Sequence, residues 1–192
     1  MNAAATLRRS IDHRGAAANS TAIMQKDIYS FACRYGAFTI RLDPEAAPQT
    51  CAYFARVFSS EDFADASIFR IVTETNSSLA QSIPIEVIQL GIEHDGTGPF
   101  EKIVHEGTGI TGLRHLKWSV SAARYGKGEA YPSCFICMRD EPELDQGGKR
   151  HRDGDGFAVF GQITSGFGTL KRIFAQAETK DFLNRALPLE RC

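Results

Sequence analysis

The sequence predicts an all-β-dominated domain, a closed or nearly closed antiparallel barrel that carries two helices. Three observations predict it. Five short apolar segments, SIFRIV, IEVIQL, KWSVSAA, SCFICM and GFAVFGQI, are separated by glycine-, proline- and charge-rich stretches, the rhythm of strands and connections in an antiparallel barrel. Two other stretches have helical rather than alternating periodicity. The chain has 192 residues and thirteen phenylalanines, enough to bury one substantial core without disulfides or metal and cramped for two full domains.

Taken in order, DIYSFACRYGAFTIRL from Asp27 alternates apolar and polar residues on either side of Tyr35-Gly36. That pattern predicts two strands joined by a tight turn, and the domain begins there. Pro44 and Pro48 bracket a loop, Thr50 is a candidate N-cap, and Cys51, Phe54, Val57 and Phe58 share one face of a short core helix. The five apolar segments then follow as strands, and closing them into a barrel removes exposed strand edges. GFGTLKRIFAQA places Leu170, Ile173 and Phe174 on one side of a second helix, expected to cap the other end of the sheet. The domain is expected over residues 27–177, residues 178–192 read as a charged tail, and residues 1–26 as a disordered or targeting extension.

Charge and composition exclude several classes of function. Lys plus Arg number 22 against 23 Asp plus Glu, so the positive bias of a phosphate-neutralising nucleic-acid binder is absent. The start has no apolar stretch of the length a signal peptide or membrane span requires. Cys33, Cys51, Cys134, Cys137 and Cys192 are odd in number and scattered, as expected of reduced thiols in a cytosol-like compartment. Cytoplasmic residence is expected; Arg8, Arg9 and Arg14, with Asp12 as the only early acid, offer organelle targeting as the alternative. Asn19 and Asn76 open glycosylation triplets that matter only in a secreted chain.

Familiar motifs lack their contexts. Gly107-Thr-Gly109-Ile-Thr-Gly112 matches a dinucleotide fingerprint, yet Leu113-Arg-His-Leu opens no convincing helix, so a glycine-rich loop is expected. Cys134 and Cys137 have redox or zinc spacing, but in a strand, residues three apart point to opposite faces. His94, His105, His115 and His151 form no ligand spacing and read as loop or strand-end histidines. Asp153-Gly-Asp155-Gly lacks the later glutamate of a calcium loop and reads as a turn. Lys149-Arg-His-Arg152 reads as a solvated basic loop. No metal and no cofactor is expected.

From Tyr35 onward the chain runs YGAFTIRLDPEAAPQTCAYF, IFRIV, IEVIQLG, HEGTGITGLRH, SAAR, CFIC, EPELD and GFAVFGQITSGFGTLKRI. In that order, over about residues 28–176, it resembles the cyclophilin family of peptidyl-prolyl cis-trans isomerases. It is similar to a bacterial-type branch that reads FYRVV, IQGG, HE with a following TGLRH, SMAR, EFFIC, PELD with GGKR, and GFAAFGRV. The resemblance implies an eight-stranded antiparallel barrel capped by two helices, with a peptide groove on its outer face. It implies acceleration of X-Pro rotation in unfolded or flexible protein segments, a role in protein folding.

Rotation about that amide faces a barrier of about 18–20 kcal/mol because resonance must be broken. In the twisted state the prolyl nitrogen becomes pyramidal and basic, so a fixed cation that hydrogen-bonds to it favours that state over the planar one. Arginine suits the task, being always charged and holding a rigid donor fork.

By residue type alone Arg70 is a strand arginine and Phe135 a core aromatic. The resemblance implies Arg70, Gln89 and Phe135 as the catalytic set. Gln89 would orient the arginine and meet the substrate backbone, while Phe135 would floor the proline pocket. It implies Val87, Leu144 and Phe157 as pocket lining, and Ala123, Arg124 and Ser133 along the substrate backbone.

The chain departs from the branch at Ile68, Leu90, Ala122 and Cys134, which stand for an aromatic, a glycine, a methionine and a phenylalanine. Leu90 is expected to push its strand outward, because glycine there lets backbones approach closely. Glu143 stands where some relatives carry a tryptophan that helps bind cyclosporin, so weak binding of that drug is expected. The polar insert TETNSSLAQSIPIEVI is expected to form a surface loop near the groove. A monomer is the default for such a fold. A catalytically weak proline-peptide-binding module, or a scaffold tethered through the first 26 residues, are the alternatives.

Overall fold

The computed structural model describes residues 27–77, 83–93 and 100–192. The N-terminal extension with its arginines and Asn19, His94, and residues 78–82 of the polar insert lie outside the described residues.

Strands β1 (Ile28–Cys33) and β2 (Gly36–Leu42) form the expected hairpin. Gly36, at φ +116°, takes the backbone through a conformation that side chains disfavour. Helix α1 (Pro48–Ser59) buries Cys51, Phe54, Val57 and Phe58 on one face. Its cap differs from the expectation. Pro48, with φ preset and no amide to satisfy, opens the helix after Ala47, so Thr50 lies inside the first turn. Glu106 caps from a distant loop, its Oε2 accepting from Thr50 N at 2.7 Å and Thr50 Oγ1 at 2.8 Å.

The apolar segments become β3 (Ser67–Val72), β4 (Val87–Gly91), β5 (Ser119–Arg124), β6 (Ala130–Cys137) and β7 (Ala158–Ser165). The glycine-rich segment forms a single-turn helix α2 (Thr108–Thr111), ended by Gly112 at φ +74°. Helix α3 (Phe167–Phe174) buries Thr169, Leu170 and Ile173.

The supposed tail is part of the barrel. Residues 178–192 carry β8 (Phe182–Pro188) and β9 (Glu190–Arg191), and the antiparallel sheet runs β8-β3-β4-β6-β5-β7-β2-β1-β9. Only Leu189 separates β8 at one edge from β9 at the other. One bent C-terminal strand thus closes the sheet, and counting it once yields the eight strands expected.

Strand alternation divides the apolar residues into two groups. The barrel interior holds Phe31, Phe38, Phe54, Phe58 and Phe160, all essentially inaccessible, with Phe54 stacked on Phe160 at 4.1 Å between ring centres. A smaller group on the outer face contains Val72, Ile85, Val87, Ala123, Tyr131, Phe135, Cys137 and Leu144, with Phe157 packed against it. Cys134 lies in the interior and Cys137 in the outer group, on opposite faces of one strand.

Leu90 does not push its strand outward. Its side chain fills the interior, and the close backbone approach falls instead at Gly91, where an added Cβ would sit 2.6 Å from the Pro132 carbonyl oxygen. The basic run is not uniformly solvated either. Arg150 is buried, and its Nη1 donates to the Ile83 carbonyl at 2.7 Å.

Candidate functional site

The site begins with an irregularity in β3. Ile68 and Ile71 both face the interior although three residues apart, which a regular strand forbids. The register shifts between Ile68 and Arg70 against both neighbours, β4 and β8. This bulge re-aims the strand, so that Arg70 turns to the outer face.

There its guanidinium is held on several sides. Nε and Nη2 donate to Asp181 Oδ2 at 2.9 and 2.6 Å, and Nη1 donates to Gln89 Oε1 at 3.3 Å. The Phe182 ring lies 5.1 Å from its central carbon. Of five N–H donors, three are thereby engaged. One on Nη1 and one on Nη2 remain for a ligand, on a side chain 19% exposed.

Gln89 is buried and hydrogen-bonded through both its amide oxygen and its amide nitrogen. Its Oε1 accepts from Arg70, while Nε2 donates to Tyr131 Oη and Ser133 Oγ, each at 3.0 Å. Both acceptors fix the amide orientation, as a buried polar group requires. Burial, with Tyr125 nearby, pushes the Tyr131 phenol up to about 12, so it stays protonated at neutral pH.

Beside this network lies an aromatic cluster on the outer face. Phe135 and Phe157 meet edge to face at 5.4 Å, and Phe157 N donates to the Leu144 carbonyl at 2.9 Å, which ties the two pocket-bearing loops together. Phe135 and Leu144 are buried, as are Val87, Ala123 and Ser133; Phe157 is half-buried. Arg124 points its guanidinium into the loop that carries Phe157. It donates to both Asp153 carboxylate oxygens at 2.7 and 2.8 Å and to the Gly156 carbonyl at 2.7 Å, with the Phe157 ring 5.0 Å away. The Arg124 hydrogen bonds hold the Asp153 carboxyl well below its usual range. Arg124 therefore fixes the loop that carries Phe157.

Behind Phe135 is a second polar chain that residue spacing did not disclose. His115 stacks on Phe135 at 6.0 Å, with Nδ1 2.8 Å from Asp145 Oδ1 and Nε2 2.9 Å from Ser121 Oγ. A carboxylate only accepts, so Nδ1 carries the proton and Nε2 accepts from the serine. Burial pushes the His115 pKa down, against the pull of Asp145. Burial alone would raise Asp145, but hydrogen bonds from the His115 ring and backbone and from Arg114 outweigh it and leave the carboxyl lowered. Ser121 and His115 are inaccessible to solvent, so this chain braces the Phe135 ring and offers no nucleophile.

The four departures lie together. Ile68 pairs with Leu90, Leu90 with Cys134, and Cys134 with Ala122, one row across four strands in the interior. Leu90 occupies space that smaller Cys134 and Ala122 leave, a redistribution of volume that cores tolerate. Glu143, the remaining difference of note, accepts from Lys149 N at 2.8 Å through Oε2.

Sequence reading missed Asp181, Phe182, Tyr131 and the His115–Asp145–Ser121 chain. The ordered TGLRH, SAAR and PELD pieces contained the last three residues, though their contact is visible only in three dimensions. A separate hollow of about 500 Å³, lined in part by Asp27, Arg41, Glu45, Arg114, Lys117 and Gln162, includes none of the Arg70 group. Its lining mixes charges of both signs with Leu42, Leu113, Leu116 and Val159.

Arranged so, the outer face offers two arginine N–H donors beside an aromatic surface, a combination able to bind a proline ring and donate to its nitrogen. Comparison with known structures finds the same fold in a cyclophilin type peptidyl-prolyl cis-trans isomerase of Cryptosporidium parvum. The TM-score is 0.61 at 15% identity, over 86% of this chain and 98% of that one. No curated protein matches the chain. The family described as "Cyclophilin type peptidyl-prolyl cis-trans isomerase/CLD" matches residues 28–192, including the bent strand that closes the barrel, and the chain belongs to that family of isomerases.

Proposed function

We propose that this isomerase works through Arg70 on the outer face of the barrel, with Gln89 orienting it and Phe135, Leu144 and Phe157 forming the proline pocket. The observation that carries this reading is the bulge in β3, which turns Arg70 outward while Asp181 and Gln89 leave two of its N–H groups unengaged. As the amide twists, the prolyl nitrogen gains a lone pair that can accept from Arg70, whereas the planar ground state offers none. Apolar contact with the ring excludes water from the amide and strengthens that hydrogen bond. No proton transfer and no covalent intermediate is required.

The substrates on this reading are flexible proline-containing segments, bound by one copy of the chain, in the cytoplasm. Cyclosporin binds weakly on this reading, because Glu143 stands where some relatives carry a tryptophan that helps bind the drug. Membership of the bacterial-type branch is supported by the meeting of His115, Ser121 and Asp145, which come from three of its motifs.

The test is a protease-coupled assay of X-Pro isomerisation with wild type and Arg70→Ala. Wild type accelerates the exchange, and the variant loses about a hundredfold in kcat/KM, the scale for removing one donor from a developing charge. Folded wild type without acceleration would reduce the protein to a peptide-binding module.

A further inference from the structure

Arginine is a long side chain, and a donor that must meet a transient lone pair is effective only if its direction is set before the substrate arrives. In this chain the C-terminal segment sets it. Asp181 and Arg70 are 111 residues apart, yet Asp181 Oδ2 accepts from both Nε and Nη2 of the guanidinium. The carboxylate is 1% exposed, so water competes little for either partner. The acid is itself anchored by its backbone, because its carbonyl accepts from Ile71 N at 2.8 Å, one residue beyond Arg70. Asn76 Nδ2 adds a staple, donating to the carbonyls of Ile71 at 2.9 Å and Glu178 at 3.0 Å.

The next residue completes the seat. Phe182 pairs with Arg70 across the β3–β8 ladder and lies under its guanidinium. It also stacks on Phe69, the residue at the bulge, with ring centres 6.3 Å apart and planes at 21°. Arg150 gives Asp181 a further task. Burial and then the like charge of Arg70 lower the Arg150 pKa, while Asp181 acts in the opposite direction, so the acid offsets repulsion between two neighbouring cations.

We propose that Asp181, seated with Phe182, is a positioning residue for catalysis: it holds the Nε–Nη2 edge of Arg70 so that the remaining Nη1 and Nη2 donors face the proline pocket. This inference rests on the reading of Arg70 as the catalytic residue.

The experiment is a double-mutant cycle of kcat and KM for Asp181→Ala and Asp181→Asn, each in the wild-type and Arg70→Ala backgrounds. It is accompanied by NMR of the Arg70 Nε–H. Asp181→Ala should lower kcat by about tenfold with KM little changed, and Asp181→Asn, which keeps an acceptor oxygen, should lose less. Neither should cost anything further once Arg70 is alanine. The Nε–H resonance should be protected from exchange in wild type, unprotected in Asp181→Ala and partly protected in Asp181→Asn.

An equal loss from Asp181→Ala in both backgrounds would make its role merely structural and overturn the proposal. So would an Nε–H signal indifferent to Asp181. If wild type proves inactive, the reading of Arg70 fails separately, and the resonance alone decides whether Asp181 holds it. Should Asp181→Ala not fold, Asp181→Asn carries the same two readouts, and an unchanged kcat together with an unchanged Nε–H signal overturns the proposal.

Discussion

Two rows of residues run side by side across the sheet and compare in opposite ways with the bacterial-type motifs that the chain resembles. The interior row, Ile68–Leu90–Cys134–Ala122, differs at every position from the motifs FYRVV, IQGG, EFFIC and SMAR. The outer row, Arg70–Gln89–Phe135–Ser121, matches them throughout along the same four strands. Packing inside a barrel asks only that volume be filled, and bulk lost at Cys134 and Ala122 can be recovered by Leu90. On the proposed reading the outer row supplies donors, acceptors and an aromatic face at fixed places, for which volume is no substitute. Leu90, Ala122 and Cys134, the departures that point to a weakened enzyme when read along the chain, thus fall on the side of the strands away from Arg70.

Interior substitutions should therefore disturb stability and leave chemistry alone. The largest effect is expected from Leu90→Gly, which restores the residue of the motif without the neighbours that fill its space. Unfolding in urea should show a loss of about 3–5 kcal/mol, the cost of deleting a buried leucine with added backbone freedom. Adding Cys134→Phe should recover part of it, since the two side chains share one space. Simple addition of the two losses would break the account of the row as a single repacked unit.

A smaller effect separates the polar chain behind Phe135 from the apolar interior. His115 and His105 both have lowered pKa values, chiefly through burial. The unfolded chain thus binds protons that the folded one resists. Stability is fully present above the ordinary histidine value of about 6.5 and falls as the pH drops below it. A second loss begins below about 4, where the lowered Asp145 and Asp153 carboxyls make protonation favour the unfolded chain. Urea midpoints against pH should show both stages, with His115→Gln flattening the first. A midpoint that does not change between pH 7 and 5 would contradict the buried neutral histidine.

The least perturbing probe is thiol reactivity. Burial pushes Cys51 and Cys137 up to about 12 and raises Cys134 as well, so these three should react with a thiol reagent only after unfolding. Exposed Cys192 and partly exposed Cys33 should react in the native state. Fast labelling of Cys134 would show the interior row open to solvent.

Much of this was legible in the sequence because apolar alternation and ordered motifs are local signals. The five segments became strands, and Arg70, Gln89 and Phe135 fell into one cross-strand row. The bulge was not legible, since IFRIV carries no glycine or other mark of an extra residue. Barrel closure was missed because FLNRALP lies at an edge with most of its residues exposed or half-exposed, and so lacks the alternation of a half-buried strand. Asp181 lies far along the chain from Arg70, and a lone acid has no periodicity. Thr50 misled for a related reason: the cap of α1 is supplied by Glu106, 56 residues away.

Turnover should follow the outer row and not the interior one. The most direct test is kcat/KM for X-Pro exchange, measured by NMR for wild type, Arg70→Ala and the interior pair Leu90→Gly/Cys134→Phe under conditions where all three are folded. Arg70→Ala should lose about a hundredfold while the interior pair retains the wild-type value. A loss in the interior pair comparable to that of Arg70→Ala would contradict it.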